Sequence, residues 1–444
     1  MSVGSTELSS GVGSTEPDSA GAGFAGSGAE AERRRRPARR RSGPQSEVRR
    51  NAFLLALGLV FLSGMVQLAV ALGTVTIVAV TGVHSILGLG PAVFLIAGAL
   101  AVGPAGRLSD RFGRMPVIRT GYALGVVGPL VTAAGCDWRS GVLVFVGLGL
   151  CGAAQSIVLL SRAAAAEMFP PERRARGMSI VLFAVVSGAI WGPLVFGPMF
   201  SGRHFDAHDL TVPWLAAGLF TLAGIAISFG VRRDPRDLSA AYVAPTAPRP
   251  LVEILRRPGV ATAMVAAVSS FGVMAGVMNL AGYVAVGHHH AQGSVFTIIS
   301  IHIVGMYGLV LFVGDAIERI GRRRSMVIGL AVIAVSNAGM AWFGSIGGMS
   351  LSMFGLGLGW CLSYIAATTE LVDLAGPAER GRLVGLSDLL SSFGGAGLAL
   401  AGGVVYTGAG GSVPLAWLAT GLAVLACAWV AGNRAAPPAP AVAD

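Results

Sequence analysis

The chain of 444 residues is 54% hydrophobic and 12% charged, with a mean hydropathy of +0.71, which excludes a water-soluble globule, since those carry about twice that charge. A formal charge of +10 would suit nucleic-acid binding, but all 32 basic residues are Arg and they are placed as in a membrane protein. The 65 glycines fit the same class, because small side chains let helices approach closely in lipid.

Residues 1–50 are rich in Gly, Ser and Glu and end in the basic run Arg33–Arg41. They lack apolar periodicity and are predicted to be a disordered tail. Its arginines could touch anionic lipid; the plainer reading is a topology signal. The first apolar run begins near Ala52, too far in for a cleavable signal peptide. From there apolar runs recur, each long enough for a helix of about 20 residues across a core of about 30 Å. They fall at 52–78, 86–105, 116–135, 141–164, 178–200 and 213–231, then at 259–284, 294–315, 325–345, 348–371, 382–405 and 412–432. The expected fold is an all-α integral membrane protein with twelve spans. Six-helix bundles at 51–231 and 259–434 flank a linker at 232–258, in which Leu251–Arg257 could form one amphipathic turn, and 435–444 is a second tail. On this count every Arg except Arg139 and Arg203 lies on one side. Basic residues prefer cytoplasmic loops, so both termini are expected there, and nucleic acid is not needed to explain the charge.

After the second run the chain reads GRLSDRFGRM from Gly106 to Met115, and after the eighth it reads GDAIERIGRR from Gly314 to Arg323. Gly106, Asp110, Arg111, Gly113 and Arg114 are answered at the same spacing by Gly314, Glu318, Arg319, Gly321 and Arg322. Such a repeat implies two related halves and, in an apolar chain, points to a transporter. The first copy resembles the signature that the major facilitator superfamily of secondary transporters carries between its second and third helices, departing at Met115; the second copy departs at Ala316 and Ile317. The resemblance implies two rocking six-helix bundles and a conformational latch. Asp110 would face the start of the eleventh helix near Gly381–Leu383, with Arg111 and Arg114 as pairing partners, and hold an outward-open state. A solvated basic loop would explain the arginines but not the repeated acid and glycines.

Two further stretches carry weight. Glu167 followed by Pro170–Gly177 is echoed by Glu370 and Asp373 followed by Gly376–Arg382, which suits either an inter-helix charge relay or simple anchoring of helix ends. The fifth run holds SGAIWGPLVFGP, with Gly188, Gly192, Pro193 and Gly197. It resembles the antiporter motif of the family's efflux members, which kinks helix 5 against helix 8, although Gly197 falls one residue late and Pro198 replaces a second Gly. General enrichment of Gly and Pro in membrane helices is the alternative.

Ionisable groups deep in a bilayer are costly and mark functional candidates. Asp388 and His302 qualify. Burial favours the neutral form of either, so each could exchange protons as water access alternates; a rim latch for Asp388 and a packing role for His302 are the alternatives. By analogy with the family, helices 1, 4, 7 and 10 would line the substrate cavity with Gln67, Gln155, Ser156, Asn279, Trp360, Tyr364 and Thr368, with Arg162 nearer the cytoplasm. This mostly neutral set suits an amphipathic or weakly charged solute, unless its members only join helices. His288–His290 cannot easily converge on one ion, the four cysteines show no ligand spacing, and no Walker loop or Lys occurs, so neither metal, cofactor nor ATP is expected. The expected protein is a monomeric, lipid-embedded, proton-coupled transporter of the plasma membrane that exports a small hydrophobic or amphipathic compound. Uptake of a nutrient such as an organic acid or sugar, and a non-transporting sensor on the same scaffold, are the alternatives.

Overall fold

The structure, a computed structural model, describes residues 44–169, 177, 180–181, 183–199, 206–238, 250–288, 290, 292–376, 379–408 and 411–433. Among these no strand occurs. The helices are α1 (Pro44–Thr81), α2 (Leu89–Phe112), α3 (Arg114–Asp137), α4 (Gly141–Val158, resumed as Ser161–Glu167), α5 (described over Ala184–Met199) and α6 (Thr211–Ser228). The second set is α7 (Val260–Gly287), α8 (Gln292–Ile303 continued by Val310–Ile320), α9 (Arg322–Trp342), α10 (Ile346–Leu374), α11 (Arg380–Gly408) and α12 (Ser412–Gly432). Ten are long and apolar enough to cross a membrane singly; α8 adds an eleventh if its two arms, bent by 58°, form one span, and the shorter apolar α5 takes the remaining place. The protein is an all-α, multi-pass membrane protein with the twelve-helix arrangement.

The expected start near Ala52 is corrected to Pro44, so 44–50 is helix rather than tail. Long-range contacts hold this extra turn. Arg50 donates to the Gly230 carbonyl at 2.8 Å, Asn51 to that of Arg233 at 3.1 Å, and Glu47 pairs with Arg233 at 3.3 Å. The Arg33–Arg41 run, residues 170–176, 239–249 and 434–444, and His289 lie outside the described residues. The expected amphipathic turn is present as Leu251–Leu255. Its Ile254 is buried in a small apolar cluster with Val260, Leu371 and Leu383, at the ends of α7, α10 and α11.

Each half repeats the same local devices. Ser140 opens α4 by accepting from the Leu143 amide, and Ser345 opens α10 by accepting from the Gly348 amide, each satisfying an orphan donor of the first turn. The helices α3 and α4 touch through Gly128 and Gly147, and α9 and α10 through Gly329 and Gly359. A methyl on Gly147 would meet Gly128 O at 2.7 Å, and one on Gly359 would meet Gly329 O at 2.7 Å. Buried threonines return their hydroxyls to the carbonyl four residues back, as at Thr76, Thr132 and Thr221. A polar group in hydrocarbon must be satisfied internally.

The two halves meet through α1 against α7, α2 against α11 and α5 against α8. The last pair is the irregular one. A π turn at Gly192–Phe196 interrupts α5, and another at Val304–Gly308 lies at the bend of α8. Their approach uses bare backbone and rings: Phe196 stacks on Phe296 at 6.0 Å, and Gly192 lies where a methyl would meet Gln67 Nε2 at 2.6 Å and Ser300 Oγ at 3.2 Å.

Candidate functional site

The repeated decapeptides fold alike. Gly113 and Gly321 end α2 and α8 with φ of +97° and +91°, a region that strains any residue with a Cβ, and α3 and α9 start at the next residue. In the first copy Asp234, beyond α6, caps the new helix by accepting from the Arg114 and Met115 amides at 3.0 and 2.8 Å. The following Arg then clamps the acidic end of the neighbouring span. Arg114 makes two hydrogen bonds to Glu167, at 3.0 and 2.7 Å. In the second half Arg322 pairs with Glu370 at 3.3 Å and with Asp373. These contacts gather both decapeptides and the ends of α4, α6 and α10 on one arginine-rich face.

On that face Asp110 pairs with Arg114 at 3.1 Å and its side chain is 72% exposed. Among the described residues no contact joins Asp110 to the start of α11, and a methyl added to Gly106 or Gly381 would meet nothing within 4 Å. On the opposite face a methyl on Gly88 would meet Ala399 O at 2.0 Å. Among the described residues the halves are therefore packed closely at the far end and have open space beside Gly106 and Gly381 at the arginine-rich end.

Hydrogen bonds across the seam follow the same gradient. At the far face His84 Nδ1 meets the Tyr283 hydroxyl at 2.7 Å. Deeper, Thr74 donates to the Asn279 carbonyl at 3.0 Å, and Gln67 donates to Ser300 at 3.4 Å. Nearest the arginine-rich face, Arg162 meets Asp388 at 3.5 Å. Thr74 and Gln67 lie 7 and 14 residues below Thr81, about 10 Å apart along α1.

Arg162 and Asp388 form an ion pair across the seam, one member from each half, with side chains 33% and 30% exposed. The Tyr364 hydroxyl donates to the other Asp388 oxygen. Tyr364 stacks on Trp360 at 5.3 Å and 17°, Phe271 tilts against Tyr364 at 5.7 Å, and Tyr307 meets Trp360 edge-on at 5.6 Å. Helices α7, α8 and α10 thus supply an aromatic box beside a charge pair that joins the bundles. Within it the Trp360 indole N–H is buried and has no partner.

Of the expected cavity residues, Trp360 and Tyr364 come together with Asp388, and Gln67 lies apart at the α1–α5–α8 junction. Asn279 is buried and donates to the Ala275 carbonyl. Ser156 faces Gly98 of α2, and Thr368 donates to the Tyr364 carbonyl. Gln155 is half-buried on α4. In helix 5, Gly188 abuts Ser63, Gly192 admits Gln67, Pro193 is exposed and Gly197 approaches Gly293. His302 is corrected in role. It is fully buried and its Nδ1 lies 2.7 Å from the Met353 carbonyl, the geometry of a tether between α8 and α10 rather than of a water-accessible proton site. His288 bonds Ser412 at 3.0 Å and His290 bonds the Gly344 carbonyl at 2.5 Å, so these rings fasten loops. Phe271, Tyr307 and Asp234 escaped the sequence reading. Only Tyr307, set between Gly305 and Gly308, carried a local signal.

Two pseudo-symmetric membrane bundles meeting around a polar, aromatic-walled seam define a carrier. The sequence model of the Major Facilitator Superfamily matches residues 51–399 and 289–443; the chain belongs to that superfamily and is a multi-pass membrane transporter. It is similar to the riboflavin transporter RfnT of Brucella anthropi, 27% identical over 350 residues, which span 77% of this chain and 85% of that one. It is also similar to the multidrug resistance protein MdtH of Photorhabdus laumondii, 25% identical over 381 residues, 78% and 84% of the two chains. Its fold matches the inward-open conformation of the xylose transporter XylE from E. coli with a TM-score of 0.68 at 12% identity, over 88% of this chain and 97% of that one.

Proposed function

We propose that the chain is a proton-coupled secondary transporter of the plasma membrane, with both termini cytoplasmic, that exports a small amphipathic organic solute by alternating access. The observation that carries this reading is the Arg162–Asp388 pair: a carboxylate and a guanidinium, one from each bundle, beside an aromatic wall. Protonation of Asp388 removes its attraction for Arg162 and unties the bundles where they are already least packed. Protons are the coupling ion, and the monomer, surrounded by lipid, is the working unit.

With the arginine-rich side cytoplasmic, the arrangement is inward-facing. The decapeptide latch is then released, with Asp110 paired inside its own half to Arg114, and Asp110, Arg111, Glu318 and Arg319 engage across the seam in the opposite state. Export draws support from the π-turned, Gly- and Pro-rich α5 against α8 and from the similarity to the multidrug resistance protein MdtH. Uptake is the second reading. It draws on Arg162, which protonation of Asp388 would release toward an acceptor on the solute, loading proton and solute together.

Proteoliposomes with an imposed pH gradient separate these readings. Export predicts that lipophilic solutes leave against the proton flow, and that cells lacking the chain accumulate more of them. Solute and protons moving in the same direction would replace export by uptake. Flux indifferent to the gradient would remove coupling.

A further inference from the structure

The two halves each hold an aromatic cluster around one tryptophan, and the tryptophans differ in one respect. Trp191 sits among Phe61, Phe196 and Phe220, and its indole N–H donates to the Val60 carbonyl at 2.7 Å. Trp360 sits among Phe271, Tyr307 and Tyr364, is 6% exposed, and its N–H meets no acceptor among the described residues. A buried donor without a partner destabilises, whereas one that is paired contributes modestly. The first cluster is complete in itself. The second lacks one hydrogen-bond acceptor.

The missing acceptor belongs next to flat apolar surface. Trp360 and Tyr364 lie nearly parallel, while Phe271 and Tyr307 present tilted and edge-on rings around them, and all but Trp360 are half-buried. Such rings stack on a planar π-system, and a saturated ring gives them no equivalent face. At the rim stand the charged and polar groups of Arg162, Asp388 and Tyr364.

We infer that this box takes a planar, fused-ring heteroaromatic solute that presents a ring carbonyl or ring nitrogen to the Trp360 N–H. The inference rests on the transport reading for its location but not for its direction, and it names the chemistry of the cargo. Acceptor and plane are both required. A hydrocarbon of the same shape stacks but leaves the indole unpaired, and a sugar can pair but offers the rings a C–H face in place of a π-system.

The test uses the purified full-length protein and three probes: lumichrome, a planar tricycle with ring carbonyls; anthracene, a planar tricycle without acceptors; and xylose. Fluorescence titration of lumichrome and anthracene, with thermal stabilisation for xylose, is expected to rank lumichrome above anthracene and show nothing for xylose. Trp360→Phe keeps a ring and removes the donor. It is expected to weaken lumichrome about tenfold, leave anthracene unchanged, and leave the unliganded melting temperature no lower. Trp191→Phe is the control, expected to lower the melting temperature while lumichrome affinity stays put. Equal binding of lumichrome and anthracene, an unaltered lumichrome affinity in Trp360→Phe, or stabilisation by xylose alone overturns the inference. Lumichrome binding without flux of any solute would sink the transport reading and leave this one standing; flux without lumichrome binding would do the reverse.

Discussion

The far and near ends of the seam are built from different chemistry. At the far end backbone lies on backbone, with Gly88 against Ala399, His84 meets the Tyr283 hydroxyl, and deeper in the seam the polar links are uncharged hydrogen bonds from Thr74 and Gln67. At the near end, among the described residues, an ion pair at 3.5 Å whose side chains are about one-third exposed holds α4 to α11. Packing is short-ranged and indifferent to pH; a charge pair is longer-ranged and vanishes when its acid is protonated. The proposed proton-coupled cycle needs one end that shuts by contact and one that answers to a proton, and the Arg162–Asp388 pair is the candidate for the second.

The comparison breaks most completely at Asp388. Asp388→Asn is expected to abolish the pH-gradient component of transport in proteoliposomes while lumichrome binding persists, because the switchable charge goes and the aromatic box stays. Gly88→Leu attacks the other end. Its side chain must displace the α11 backbone, and overpacking costs about 1–3 kcal/mol, so the population closed at the far face should fall by about tenfold or more. Reactivity of a cysteine introduced at Gly381 measures it: reactivity that drops supports the contrast, and unchanged reactivity contradicts it.

Smaller effects test whether the clamps within each half are independent of the seam. Arg114→Ala removes two charge-assisted hydrogen bonds to Glu167, and Arg322→Ala removes the pairing with Glu370 and Asp373. Each is expected to lower stability by about 1–2 kcal/mol after solvent screening. The double variant should be additive, since the sites share no partner and lie in different bundles; thermal unfolding in detergent reads both. Gly106→Ala is expected to leave the melting temperature of the present arrangement unchanged, because the added methyl meets nothing, and to impair flux by crowding the latch in the opposite state.

Much of this architecture was legible in the chain. Apolar runs marked the spans, because lipid forces every crossing to be helical, and the repeated decapeptide announced the halves. Their glycines were readable too, since Gly113 and Gly321 adopt a backbone that other residues avoid. The clamps were half legible: the acids at Glu167, Glu370 and Asp373 stood out, but their partnership with Arg114 and Arg322 needed three dimensions. Phe271 and Tyr307 were hidden because an aromatic residue in an apolar run looks the same whether it meets lipid, a neighbour or a solute. Asp234 was hidden by its distance in sequence from the helix it caps. His302 misled because depth alone does not distinguish a proton site from a tether; the Met353 carbonyl does.

The central claim is that protonating one acid loosens the near seam while the far seam holds. Spin labels at Arg107 and Gly381 report the near face, and labels at Val83 and Thr407 the far face, by pulsed electron resonance distances in nanodiscs. Acidification should lengthen the near distance and leave the far one fixed, and Asp388→Asn should show the lengthened near distance at every pH. A near distance that ignores pH in the parent protein, or that still responds to it in Asp388→Asn, would contradict the account.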